Sequence, residues 1–160
     1  MEVLLELGYG KPQEILLLFT EYTDDILAKG PEVKSCLQSQ NYEGEAEQLQ
    51  EKYGEPNGCL YLASYGTTAA GCVALRKLND ACCEVKRLYV RPMYRGLGIG
   101  KMLMEKIISH AKQIGYRHIR LDTFPFMQEA IQMYGRYGFY EIERYNDNPA
   151  PTAVFMQMDI

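Results

Sequence analysis

Between Val90 and Met102 the chain changes from one periodicity to another. Cys82-Cys83-Glu84-Val85-Lys86-Arg87-Leu88-Tyr89-Val90 is a short apolar-rich run of strand type, and Lys101 to Lys112 carries apolar residues at helical spacing. Arg95-Gly96-Leu97-Gly98-Ile99-Gly100 joins the two. A strand, a glycine-rich turn and a helix start together make an anion site. Glycine lets the backbone approach a phosphate closely, the first helical N–H groups have no partner within the helix, and the helix dipole favours negative charge there. The loop therefore points to a ligand that carries phosphates.

Three kinds of glycine loop compete for this stretch. A P-loop needs a hydroxyl residue after Gly-Lys to reach magnesium, and Gly100-Lys101 is followed by Met102. A dinucleotide fingerprint built on Gly96 and Gly98 needs a third glycine at position 101, which is lysine. Asp122 lies near the spacing of its acidic ribose ligand. A nicotinamide-dependent reductase thus stays open on spacing and is weakened by the missing glycine. The third reading fits best: Arg95-x-x-Gly98-x-Gly100 after Leu88-Tyr89-Val90 resembles the acyl-CoA loop of the GNAT superfamily of N-acetyltransferases. The resemblance covers roughly residues 58–160. It rests on three blocks in the family's order: Glu84 to Val90, Arg95 to Gly100, and Ala130-Ile131-Gln132-Met133-Tyr134-Gly135-Arg136-Tyr137-Gly138-Phe139.

The rest of the chain can be placed around these blocks. Residues 3–9 alternate as a first strand, and Pro12 opens a helix whose apolar residues run from Ile15 to Leu27 before Gly30-Pro31 stops it. Residues 43–53 read as a polar second helix. Cys59 to Tyr65 and Ala69 to Leu75 form a hairpin about Gly66-Thr67-Thr68, and a third strand ends at Val90. A helix from Gly98 to Ile114 is closed by Gly115. Then come a strand from Arg117 to Asp122, a helix from Phe126 to Tyr137, and final strands over 139–145 and 153–158. The order is that of an α/β (α+β) fold. The resemblance implies a mixed sheet of six or seven strands, splayed at the cofactor site and flanked by about four helices.

At 160 residues the chain has the length of one domain. Residues 58–160 are expected to form the acetyl-CoA-binding core, with residues 1–57 contributing to the acceptor site. No apolar run reaches the length of a membrane span, and Met1 to Glu6 lacks the basic start of a signal peptide. The cysteines at 36, 59, 72, 82 and 83 are odd in number and lack Cys-x-x-Cys spacing. That pattern argues against a disulfide framework and against a metal site, and suits reduced thiols in a cytoplasmic protein. Residues 1–60 carry 12 acidic and 4 basic side chains, and residues 61–160 carry 9 acidic and 13 basic. A basic half suits a phosphate-rich ligand. The acidic half is read as solvated helix faces or as a steering field for a cationic amine. The acidic balance and the lack of a basic run speak against nucleic acid.

The family resemblance implies acetyl transfer from acetyl-CoA to a primary amine, on a small molecule or a peptide, by direct attack in a ternary complex. In that reading the N–H groups of Gly96, Leu97, Gly98, Ile99, Gly100 and Lys101 hold the pyrophosphate, with Arg95 beside them. Free backbone at Leu88, Tyr89 and Val90 meets the pantetheine arm and the acetyl oxygen. Glu84 matches the general-base glutamate of the histone acetyltransferase branch; burial of a carboxylate disfavours its charged form and strengthens it as a base. Asp122 is a second candidate base, at the end of the strand after the cofactor helix. Tyr134 is the candidate general acid, placed by its spacing before Gly138-Phe139. Many relatives carry Asn seven residues before this tyrosine to bond the pantetheine. Here it is Met127, so that contact is lost or made by backbone near Thr123. The alternative function is a non-catalytic acyl-CoA-binding or regulatory module. The acceptor site of such proteins is lined by the N-terminal helices and the last hairpin loop, here residues 11–55 and 146–151. The 13 tyrosines include Tyr140 and Tyr145 near that loop, where they could cage a cation. A homodimer paired through an edge at the C-terminal strand is also expected.

Overall fold

The computed structural model describes residues 2–30 and 48–160. Seven strands form one sheet in the order β1-β2-β3-β4-β5-β7-β6. The strands are β1 (Val3–Leu7), β2 (Cys59–Tyr65), β3 (Thr68–Lys77), β4 (Cys82–Val90), β5 (His118–Thr123), β6 (Tyr140–Ile142) and β7 (Val154–Asp159). The helices are α1 (Pro12–Lys29), a short α2 (Leu49–Tyr53), α3 (Ile99–Ile114) and α4 (Gln128–Tyr137). Among the described residues only β4 and β5 run parallel; the other pairs are antiparallel. The mixed sheet and its helices agree with the fold read from the sequence.

Local chemistry explains the boundaries. Pro12 occupies the first turn of α1, where its missing N–H costs nothing. Gly115 and Gly138 close α3 and α4 at φ 108° and 103°, left-handed values that a glycine adopts without steric cost. Apolar side chains cover both faces of the sheet. On one face α3 buries Ile99, Leu103, Met104, Ile107 and Ala111 against β2, β3 and β4, with Tyr134 and Phe139 in the same cluster. On the other, α1 buries Ile15, Leu18 and Phe19 with Leu49 and Tyr53 of α2.

Several boundaries differ from the sequence reading. β1 ends at Leu7, because Gly8–Gly10 coil into a single 3-10 turn that leads into α1. The expected helix over 43–53 is present as Leu49–Tyr53; its first residues lie outside the described ones. The strand expected over 139–145 stops at Ile142. Beyond it the chain leaves the sheet, where the Arg144 guanidinium donates to the carbonyls of Asn148 and Ala150 and lies 4.8 Å over the Phe155 ring. The C-terminal strand is not an edge. β7 lies between β5 and β6, bonded to both, and the edges are β1 and β6, so an edge-paired dimer through β7 is corrected by the topology. No helix among the described residues is long and apolar enough to cross a membrane.

Candidate functional site

The site begins where two parallel strands part. β4 and β5 pair only through Cys82–Glu84 and His118–Arg120. Beyond Glu84, β4 stays bonded to β3 while β5 stays bonded to β7, so a cleft opens between Val85–Val90 and Leu121–Thr123. A bulge sharpens the divergence. Cys72 pairs with Tyr89 and Ala74 with Lys86, which leaves Arg87 and Leu88 opposite Val73 alone. Arg87 has φ 60°, a strained value for a residue with a Cβ, and bulges of this kind re-aim the strand next to active sites. Its buried guanidinium lies 5.6 Å over the Phe19 ring.

The glycine loop faces the open end of the cleft. Gly96 and Gly98 adopt φ 84° and 82°, and Gly98 caps α3. The first helical bond runs from the Met102 N–H to the Gly98 carbonyl at 3.0 Å. The N–H groups of Gly98, Ile99, Gly100 and Lys101 therefore have no acceptor inside the helix. They open on a groove of 670 Å³ lined by Leu88, Tyr89, Val90, Arg95, Gly96, Gly98, Ile99 and Gly100, with Met127 and Met133 opposite. Leu97 is half exposed outside this lining, the Lys101 side chain points to Glu105 at 3.9 Å, and Thr123 is buried within β5. Arg95 donates from Nε to the Val90 carbonyl at 2.9 Å and lies 5.8 Å over the Tyr89 ring. One backbone acceptor expected to be free at the cleft is thus already engaged. Met127 caps α4 and lines the groove with an apolar side chain.

Helix α1 forms the remaining wall. Arg91 grips Glu21 through two bonds of 3.0 and 2.8 Å and donates to the Ala69 carbonyl at 2.9 Å. This bidentate pair ties α1 to the end of β4. Asp25 stands 3.8 Å from Arg95 and 3.2 Å from Lys29 on the groove rim.

A smaller cavity of 30 Å³ adjoins the groove, and Leu88 and Tyr22 line both. Asp122, Tyr134, Lys86 and Asn148 line it, with Arg87 and Tyr22 as further polar residues. Tyr134 is buried, and burial followed by the nearby Asp122 charge pushes its phenol well above the usual tyrosine range, so it keeps its proton. Burial alone would raise the Asp122 carboxyl. The Lys86 ammonium at 3.7 Å and bonds from Asn146 (2.8 Å) and Asn148 (3.2 Å) outweigh it and hold the group below its ordinary value. Glu84 is fully buried and lines neither space. Its Oε1 accepts from Arg76 Nε at 2.7 Å and faces Lys86 Nζ at 3.8 Å; its Oε2 accepts from the Tyr145 hydroxyl at 2.5 Å and Asn146 Nδ2 at 3.4 Å.

Comparison with known proteins assigns a family to this chain. The sequence model of the acetyltransferase (GNAT) family matches residues 23–139. The chain belongs to the GNAT family. An uncharacterised N-acetyltransferase of Schizosaccharomyces pombe is 39% identical over 127 residues, covering 78% of this chain and 77% of that protein. One from Dictyostelium discoideum is 28% identical over 208 residues, covering 92% and 93%. Among solved structures, a GNAT acetyltransferase from Staphylococcus aureus superposes with TM-score 0.79 at 20% identity over 99% of both chains. The PaiA N-acetyltransferase of Thermoplasma acidophilum, solved with coenzyme A, gives 0.78 at 18% over 100% of both. At such identities these structures share the fold with this chain.

Within this GNAT fold the structure brings together most residues singled out from sequence and gives Lys86, Asn146 and Asn148 individual places beside them. Tyr145, Asn146 and Asn148 reach back from the β6–β7 loop onto Glu84 and Asp122, and Lys86 stands between the two carboxylates. Tyr140 turns away to Asp159, so the two tyrosines near the loop do not form one cage. The family resemblance assigns the loop to the acceptor side only as a whole. Nothing in its local pattern marks which residues bind, because their partners lie 24 to 62 positions away.

Proposed function

We propose that this protein is an acetyl-CoA-dependent N-acetyltransferase that acts on a primary amine of a small molecule or peptide by direct attack in a ternary complex. The observation that carries the reading is that the groove and the small cavity share Leu88 and Tyr22, with a protonated phenol, Tyr134, in the wall of the cavity. The donor set fits the cofactor: the unpaired N–H groups at the start of α3 suit a pyrophosphate, and a groove of 670 Å³ between the loop and α4 suits a pantetheine arm. When bound, acetyl-CoA supplies an acetyl group activated as a thioester.

The chain's own residues then have distinct tasks. Gly98 to Lys101 hold the pyrophosphate through backbone N–H groups. Leu88, in the bulge, and Tyr89, just past it, present backbone to the pantetheine and to the acetyl oxygen, where a fixed donor stabilises developing negative charge. Tyr134 gives its proton to the departing thiolate. A carboxylate takes the proton released by the amine: Glu84, reached from the acceptor side once Tyr145 and Asn146 withdraw, or Asp122, which already lines the cavity. Residues 58–160 form the cofactor core, and residues 1–57 contribute Tyr22 and Ile26 to the acceptor wall.

Calorimetric titration with acetyl-CoA, followed by thiol release against a panel of amines, tests the reading. Binding with amine-dependent release supports it, and the absence of binding overturns it. Tyr134→Phe should retain acetyl-CoA binding and lose turnover. Of Glu84→Gln and Asp122→Asn, the variant of the true base should lose about 10²- to 10⁴-fold in kcat while still binding acetyl-CoA. Equal turnover in both variants and the wild type would remove the carboxylates from the reaction.

A further inference from the structure

Both carboxylates that could serve as the base are covered in this structure. Glu84 is fully buried, and the Asp122 carboxyl, in the wall of the small cavity, is bonded by Asn146 and Asn148. An amine that is to reach either group has to displace part of the wall. Most of the described walls belong to regular elements: Tyr22 and Ile26 to α1, Val85 to Leu88 to β4, Leu121 and Asp122 to β5, and Tyr134 to α4. Each is fixed by backbone ladders or by the core. Asn148 is different. It belongs to the β6–β7 loop, which spans residues 143–153 and makes no ladder bonds.

The loop is fastened to the cavity rim by side chains. Tyr145 Oη donates to Glu84 Oε2 at 2.5 Å. Asn146 Nδ2 donates to Asp122 Oδ2 at 2.8 Å and reaches Glu84 Oε2 at 3.4 Å, and Asn148 Nδ2 donates to Asp122 Oδ2 at 3.2 Å. The loop is also stiffened internally, since the Asn148 N–H donates to Asn146 Oδ1 and the Ala150 N–H to Asn148 Oδ1. The Asn146 and Asn148 amide groups make these internal bonds as well as the outward ones, so release of the outward attachments also loosens the Asn148 and Ala150 N–H groups. The Asn146 amide nitrogen carries two N–H donors and stands between the two carboxylates that compete to be the base. An amine held for deprotonation must offer its N–H groups to one of those same oxygens.

We propose that the β6–β7 loop is a latched wall of the acceptor site, and that the incoming amine opens it by taking over the carboxylate contacts of Asn146. Tyr145 and Asn148 are positioning residues that keep the latch closed when no acceptor is present. The inference rests on the acetyltransferase reading above and deepens it. The acceptor nitrogen is received between β4 and β5 at the Asn146 position, and the energy needed to release the latch sets the apparent affinity for amines. An acceptor that binds only the open form has its affinity reduced by the fraction of protein that is open.

Tyr145→Phe tests this with little disturbance. It removes one latch bond and keeps the ring against Arg120 and Phe155. A hydrogen bond to a charged group is worth enough that its loss should raise the open population about tenfold. The KM for the amine should fall by about that factor in Tyr145→Phe and in Asn146→Ala, while the KM for acetyl-CoA stays at the wild-type value. A merely structural role would give lower stability with no fall in the amine KM, and that result, or a raised amine KM in both variants, overturns the latch. Hydrogen exchange of the Asn148 and Ala150 amides supplies a readout independent of turnover. It should be about tenfold faster in Tyr145→Phe than in the wild type. Unchanged exchange overturns the latch whether or not the protein acetylates anything. Absence of thiol release from the wild type with every amine counts against the acetyltransferase reading alone.

Discussion

Gly98 and Gly100 lie two residues apart in one loop and are glycines for different reasons. At Gly98 the backbone sits at φ 82°, and an added Cβ would meet no atom within 4 Å. The constraint is conformational, and an L-residue there costs about 1–2 kcal/mol. At Gly100 the φ is ordinary for a helix, and a Cβ would rest 3.8 Å from Val90 Cγ2 and 4.0 Å from Met133 Sδ, which is normal contact. The reason for glycine at 100 is therefore the groove it lines. Gly98→Ala should lower the unfolding free energy by about 1–2 kcal/mol. Gly100→Ala, inside α3, should raise it by about 0.5–1 kcal/mol, the helical advantage of alanine over glycine. Both should weaken acetyl-CoA binding, the first by tilting the cap and the second by filling the groove. Urea titration beside calorimetry separates the effects. A destabilised Gly100→Ala would show that packing, not ligand access, fixes that residue.

At the scale of elements, the position of β4 decides the geometry of the site, and Gly71 decides the position of β4. A Cβ at Gly71 would fall 2.6 Å from the Tyr89 carbonyl oxygen, a backbone atom that can move only if β3 and β4 separate. Gly71 pairs with Val90, just past the bulge. Gly71→Ala should destabilise the fold by about 1–3 kcal/mol, as overpacking does in a filled interior. Acetyl-CoA affinity should fall with it, because Tyr89 lines the groove. A variant of wild-type stability would mean that β4 shifts without cost. The same element shows what a sequence discloses. The loop, the start of α3 and the strand before it were legible because glycine and helical periodicity act over a few residues. The bulge at Arg87 was not legible by number, since it arises from the mismatch between β3 and β4. The early end of β6 was also hidden, because Arg144, Tyr145 and Asn146 leave the sheet for partners in the loop, on β4 and on β5. Period-2 alternation puts Glu84 and Lys86 on one face of β4. Only the fold shows that the face is roofed by a loop from 61 residues further on, at Tyr145.

Across the whole molecule, buried titratable groups bound the pH range in which the fold is stable. Cys59 is a buried thiol whose value rises from 9.0 to about 12, mainly through burial and then through the charge of Glu55. Burial pushes the Tyr61 and Tyr116 phenols from 10.0 to about 12 as well. Each of these groups favours its neutral form in the folded state. Below pH 9 they are protonated whether the chain is folded or not, and their contribution is fully present. As pH rises through 9 to 10 the unfolded chain begins to lose protons that the folded chain retains, and stability falls until the folded groups ionise near 12. Asp122 acts at the other end. Its folded value is depressed, so its contribution is present above the unfolded carboxyl value of about 3.9 and is lost as pH falls through the folded one. Urea midpoints measured from pH 3 to pH 11 should therefore hold a plateau between about 5 and 9 and fall on both sides. Asp122→Asn should flatten the acid side and leave the alkaline side unchanged, and Cys59→Ser should make the alkaline fall shallower without delaying its start, because burial raises the Cys83 thiol from 9.0 as well. A midpoint that stays level from pH 9 to pH 11 would mean that these thiols and phenols reach water in the folded state, and with it the tight packing of β2 against α3 would have to be abandoned.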